Sequence, residues 1–169
     1  MSTIAVIVDN GFEDSEYAKP VQAFKKAKHQ VVNVGFRKGS TVTGKNCKEE
    51  TKIDVGLKSA DPEKYDALFI PGGYSPDHLR TDSTAVSFAK AFMDKKKPVF
   101  SICHGAQLLI TAKALEGRKA TGWKSIEQDM RYAKADYRDE EVVVDDNLVS
   151  SRGPKDIPAF ITQSLKKLS

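Results

Sequence analysis

The sequence predicts an α/β fold, a mainly parallel sheet sandwiched between helices with a cysteine at a strand-to-helix elbow. Three observations predict it. The short apolar runs TIAVIVD, DALFI and VFSI have the pattern of strands covered on both faces. Segments with helical apolar spacing alternate with them along the chain. Each run ends in chemically distinctive residues, DNGFEDSE, PGGYSPDHLR and CHG, where an open α/β sheet gathers its ligand-binding loops. At 169 residues, 40% of them hydrophobic, positions 1–169 form a single domain with one core, and no repeat, linker or low-complexity tract interrupts it.

Thr3 to Asp9 opens the domain as a buried strand and stops at the turn residues Asn10 and Gly11. In the next segment, EDSEYAKPVQAFKKAKHQ, Tyr17, Val21, Phe24 and Ala27 recur at helical spacing and acids crowd the first turn. Pro20 conflicts with an uninterrupted helix unless the helix proper begins near Lys19 or bends there, because proline is cheap only in a first turn. Val31 to Phe36 predicts a second strand, and Val42 to Val55 alternates weakly about Gly44-Lys45-Asn46 as a polar hairpin. Asp66 to Ile70 is a third strand. Thr84 to Lys95 is a helix through Val86, Ala89, Phe92 and Met93, and Val99 to Ile102 is a fourth strand. Gly105 to Leu115 and Ile126 to Ala133 read as helices. Val142 to Val144 and Leu148 to Ser150 pair across Asp145-Asp146-Asn147, and Asp156 to Leu168 closes the chain as an amphipathic helix.

Composition narrows the function classes. Every apolar run is strand-sized, far below the ~20 residues that cross a bilayer. The N-terminal MSTIAVIVDNGFED lacks a basic region followed by a long apolar one, so a cytoplasmic protein without membrane contact is expected. Cys47 in KNCKEE and Cys103 at a strand end share no context, and no disulfide framework is indicated. The net charge of +4 is dispersed, and its densest run, Lys95-Lys96-Lys97, reads as a solvated loop between helix and strand. Nucleic acid is not an expected partner, since no basic motif or stacking aromatic accompanies the charge. His29, His78 and His104 lie in separate segments without ligand spacing, so no metal or other cofactor is expected.

Cys103 stands between a strand and a helix N-terminus, where unpaired N–H groups and the helix dipole favour an anion and so a thiolate. His104 offers a base or acid, but neighbouring side chains of an extended segment point to opposite faces, so contact with the thiol requires a sharp turn, which Gly105 suits. This is the arrangement of a nucleophile elbow. A plain reading stands beside it: Cys103 as a small buried apolar residue and His104 as a cap. Pro71-Gly72-Gly73 is a tight turn or, beside a thiol, an oxyanion hole of backbone N–H groups. Glu13, Asp14 and Glu16 fit first-turn acids, and Asp77 fits a turn cap.

Taken together, GFEDSEYAKP, DALFIPGGYSPDHLR, KPVFSICHGAQLL and EVVVDDNLVSSRGPKD, in this order and spacing, resemble the PfpI intracellular protease family. That family lies within the wider superfamily containing the Parkinson disease-associated protein deglycase. The resemblance covers essentially the whole chain and implies a flavodoxin-like, class I glutamine amidotransferase-like fold. It implies Cys103 as nucleophile, His104 as its neighbouring base, and Glu16 as the acid reaching the thiol from the first helix. Asp77 matches a glutamate that orients the histidine from a neighbouring subunit, and the amides of Gly73 and His104 match the oxyanion hole. Asp77 is one methylene shorter than the family's glutamate, and Ala106 replaces the proline usual after Cys-His-Gly. Homodimers, and hexamers built as trimers of dimers, are implied as well.

Members of the superfamily are described as peptidases, glutathione-independent glyoxalases, deglycases and redox-sensing stress proteins. Dicarbonyl chemistry needs Cys103, Glu16 and His104: a thiolate adds to an aldehyde, and one group moves a proton between adjacent carbons. Amide hydrolysis needs in addition an oriented imidazole to protonate the leaving amine, and so depends on Asp77. The expectation is a stress-protective enzyme acting on small reactive dicarbonyls through a Cys103 hemithioacetal. The alternatives are an ATP-independent intracellular cysteine peptidase or amidase, with a peptide substrate, and a non-enzymatic oxidative-stress sensor that uses Cys103 oxidation.

Overall fold

The computed structural model describes residues 1–169. Strand β1 (Thr3–Ile7) leads into helix α1 (Asp14–Lys26) and strand β2 (Gln30–Gly35). A hairpin of β3 (Thr41–Thr43) and β4 (Glu50–Lys52) follows, then the short strand β5 (Val55–Gly56) and β6 (Ala67–Ile70). Helices α2 (Ser75–Leu79) and α3 (Ser83–Asp94) precede β7 (Val99–Ile102) and α4 (Ala106–Thr111). Strand β8 (Lys119–Ala120), helix α5 (Glu127–Tyr132) and strand β9 (Asp136–Tyr137) form an excursion before the hairpin of β10 (Val143–Asp145) and β11 (Leu148–Ser151). Helix α6 (Ile157–Leu168) ends the fold.

Seven strands form one sheet in the order β10-β11-β7-β6-β1-β2-β5, parallel throughout except for β10. The central strands alternate their side chains between two buried faces. Ala5, Ile7, Leu68, Ile70 and Val99 pack with Phe88 and Phe92 of α3 and Leu108 of α4. Ile4, Val6, Phe69, Phe100 and Val149 pack against Phe24 of α1 and Phe160 of α6. Burial on both faces is why these strands read as unbroken apolar runs. The main sheet and its covering helices match the expected architecture. No helix is long and apolar enough to cross a membrane.

Several expected boundaries move. Helix α1 begins at Asp14 and runs through Pro20, whose absent N–H cannot bond the Glu16 carbonyl. The Glu13 carboxylate caps that helix early, accepting from the Glu16 N–H at 2.8 Å. Helix α4 is much shorter than Gly105 to Leu115, because Lys113 at φ 54° reverses the chain, with Ala114 N–H donating to Leu109 O and Lys113 N–H to Ile110 O. The excursion strands β8 and β9, two residues each, and the short helix α2 lie outside the expected elements.

Candidate active site

Strands β1, β6 and β7 are neighbours in the sheet, so the three distinctive loops meet at one end of it. Backbone bonds tie the first two loops together: Glu13 N–H donates to Gly72 O at 3.1 Å and Tyr74 N–H to Gly11 O at 2.8 Å.

Cys103 leaves β7 with φ 60°, left-handed for a residue with a side chain, and a 3-10 turn over Cys103–Gly105 follows. Such a conformation costs about 1–3 kcal/mol and persists only where its surroundings enforce it. The sequence assigned the turn to Gly105, but Gly105 has φ −54° and the reversal is carried by the cysteine itself. Gly105 is needed for closeness instead, since a Cβ there would stand 2.5 Å from Ile70 O. The turn brings adjacent side chains to one side, placing Cys103 Sγ 3.4 Å from His104 Nδ1.

Helix α1 delivers Glu16 into the same corner. The residue is fully buried, and neither carboxyl oxygen has a hydrogen-bond partner. Gly72 leaves room for the carboxyl and the thiol to meet: a Cβ on it would lie 2.5 Å from Glu16 Oε2 and 2.7 Å from Cys103 Cβ. Burial, then the charge of Glu13, push the Glu16 carboxyl up to about 8, offset only in part by the Cys103 thiol. Burial, then Glu16, also push the Cys103 thiol up, against the backbone N–H groups of His104 and Gly73 that face the sulfur. Here burial outweighs the helix terminus, contrary to the lowering expected from placement alone. The two groups titrate as a pair, and protonating Glu16 removes its charge from beside the sulfur.

The half-buried His104 imidazole is pushed down by burial and by the nearby Lys45 charge, while Asp77 opposes the shift. Its Nε2 lies 3.4 Å from Ser125 Oγ, a contact spanning 21 residues that no sequence pattern announces. Asp77, exposed on the first turn of α2, forms no hydrogen bond to His104 and acts on it through charge alone. A cavity of about 430 Å³ joins Cys103, His104, Glu16 and Asp77 with Lys45 and the exposed Trp123.

Asp14 does more than complement the helix dipole. It is buried, and its carboxylate accepts from the N–H groups of Asn46 at 2.9 Å, Lys48 at 2.9 Å and Glu49 at 3.0 Å. These bonds staple the β3–β4 loop, with Lys45 on it, to the helical turn that carries Glu16.

The chain matches the DJ-1/PfpI family over residues 2–167. General stress protein 18 of Bacillus subtilis is 55% identical over 166 residues, spanning 98% of this chain and 96% of that protein. Protein/nucleic acid deglycase 2 of Escherichia coli is 46% identical over 166 residues, again 98% and 96% of the two chains. Among solved structures, a two-domain protein of Anabaena variabilis containing DJ-1/ThiJ/PfpI-like and ferritin-like domains superposes with a TM-score of 0.97 at 38% identity, covering 99% of this chain and 48% of that one. With one family model spanning nearly every residue and full-length relatives near half identity, this chain belongs to the DJ-1/PfpI family.

Proposed function

We propose that the protein is a cysteine-dependent, stress-protective enzyme that converts small reactive dicarbonyls without glutathione, as a glyoxalase or deglycase. One observation carries this reading: a buried carboxyl that holds its proton near neutral pH stands beside the thiol, in room that Gly72 leaves for both. That pair is suited to moving a proton within a bound adduct. The name of the Escherichia coli relative, a deglycase, points the same way.

For methylglyoxal, the Cys103 S–H proton passes to His104 Nδ1 as the sulfur bonds to the aldehyde carbon, and the carbonyl oxygen takes the Glu16 proton, giving a hemithioacetal beside an imidazolium. The amides of Gly73 and His104 face this corner and stabilise the developing oxyanion. Glu16, now a carboxylate, removes the proton from the first carbon and returns it to the second, while the hydroxyl proton passes between the two oxygens by way of His104. The first carbon is oxidised to a thioester and the second reduced to an alcohol, so no external oxidant is needed. Water then cleaves the thioester and releases lactate; His104 returns its proton to the sulfur, one water proton restores the Glu16 carboxyl and the other leaves with the product. Amide hydrolysis is less well supported within one subunit, because His104 Nε2 faces Ser125 and not Asp77.

The test is lactate formation from methylglyoxal and casein cleavage, measured on one pure sample beside Cys103→Ala. Lactate without casein cleavage is expected, and both activities should be absent from the variant. Casein cleavage without lactate would place the protein among the peptidases. Loss of thiol titre without turnover of either substrate would make it a sensor.

A further inference from the structure

Lys45 is the only lysine or arginine lining the active-site cavity. Three carboxyl groups share that cavity, and each is otherwise committed or apart. Glu13 caps α1, accepting from the Glu16 N–H and the Ser15 hydroxyl. Glu16 is buried beside the thiol. Asp77 is exposed on α2. Lys45, itself exposed at the cavity mouth, forms an ion pair with none of them. Its backbone is nevertheless held firmly. Lys45 N–H donates to Phe12 O at 2.8 Å, and the three bonds to Asp14 fix the residues just beyond it. An unpaired ammonium on a stapled loop, facing a nucleophile's cavity, has the form of an anion-recognition element. Its charge reaches both Glu16 and His104, which sets it on the reacting side of the cavity.

We propose that Lys45 is a specificity-determining residue that binds a carboxylate or similar small anionic group adjoining the carbon attacked by Cys103. The pocket then favours oxo-aldehydes and adducts that carry such a group over neutral ones of equal size. The proposal rests on the reading of Cys103 as nucleophile, and it names the substrate class of that same site.

Iodoacetate and iodoacetamide test it, being nearly equal in size and differing by one negative charge. In both, the Cys103 sulfur forms a bond to the methylene carbon and iodide leaves with the electron pair of the broken C–I bond. Both reactions draw on the same thiolate, so the ratio of their rates at Cys103, read by peptide mapping, cancels any change in thiol ionisation. The ratio should exceed that of glutathione in the wild type and fall about tenfold in Lys45→Gln. It should persist in Lys45→Arg, drop further in Lys45→Glu and shrink with added salt. Glyoxylate, an aldehyde bearing a carboxylate, should protect wild-type Cys103 from iodoacetamide at lower concentration than it protects Lys45→Gln. An unchanged ratio in Lys45→Gln, even with both rates reduced, would overturn the anion site and leave Lys45 as a tuner of its neighbours. Lactate formation with that unchanged ratio would leave the nucleophile reading standing. No alkylation of Cys103 by either reagent would remove both.

Discussion

At the scale of single residues, Glu16 is where stability and chemistry conflict. Its carboxyl rises from 4.5 to about 8 on folding, burial being the main cause. Between those values the folded chain binds a proton that the unfolded chain has lost, so this residue's contribution is intact below pH 4.5 and falls as pH climbs toward 8. Glu16→Gln, which has no charge to bury, should raise stability at pH 8 by about 1–3 kcal/mol and change it far less at pH 4.5, as denaturant melts at the two pH values will measure. The same variant should keep Cys103 open to iodoacetamide better than Glu16→Leu does, because an amide N–H can donate to the sulfur and a leucine cannot. Methylglyoxal turnover should fall by about 10²–10⁴-fold, the usual share of a positioned acid or base. Equal stability at both pH values, or undiminished turnover, would contradict the assigned state of Glu16. Cys103 and Glu16 were legible in the sequence because each sits in a distinctive local string. Ser125 was not: it meets His104 only through a fold that brings the start of α5 over the elbow.

Among the elements, four helices stop by the same device. Lys28, Lys96, Lys113 and Lys134 all have left-handed φ, between 54° and 65°, just past the ends of α1, α3, α4 and α5. In each case the following N–H reaches back five residues: His29 to Phe24, Lys97 to Phe92, Ala114 to Leu109 and Ala135 to Met130. The usual stop signal is glycine, so lysine here concealed the ends from sequence reading, and the helix expected over Gly105 to Leu115 overshot. Lysine suits the negative end of the dipole but bears the left-handed strain. Lys113→Gly should therefore raise stability by about 0.5–1 kcal/mol, visible as a higher denaturation midpoint with unchanged slope. The Lys95-Lys96-Lys97 run is likewise less free than a solvated loop, since Lys97 Nζ donates to Pro62 O at 2.9 Å and Tyr65 O at 2.8 Å. The hairpin loop is the opposite case, a segment held from outside by a side chain. Burial alone would raise the Asp14 carboxyl, but the backbone N–H donors outweigh it and hold it below the ordinary 3.8. Its contribution is present above that value and is lost as pH falls below it. Asp14→Ala should cost about 1–3 kcal/mol at pH 7 and open the amides of Asn46, Lys48 and Glu49 to hydrogen exchange.

The whole molecule explains why fold class was legible while site completeness was not. Buried parallel strands announce themselves in short apolar runs, whereas the order that sets β1 beside β6 and β6 beside β7 pairs residues 63 and 31 positions apart. That order gathers Glu16, Gly73 and Cys103, yet it leaves Asp77 exposed beside Tyr74 at 64% and Trp123 at 42% relative exposure, all on the rim of one cavity. The family resemblance implies a second copy on this rim whose Asp77 orients this chain's His104, and that expectation is open to test. Sedimentation should then show a dimer or a larger even assembly. If dicarbonyl chemistry runs on Cys103 and Glu16, Asp77→Ala should lower methylglyoxal turnover by no more than about tenfold, or ~1.4 kcal/mol of transition-state stabilisation, since the histidine is loosened and not lost. Mixing Asp77→Ala with inactive Cys103→Ala under subunit exchange creates hybrid sites that pair an intact Cys103 with an intact Asp77 from the other chain. Part of the missing activity should return in proportion to the hybrid fraction. No return, with exchange demonstrated by differential labelling, would confine Asp77 to its own subunit, where only its charge reaches the imidazole.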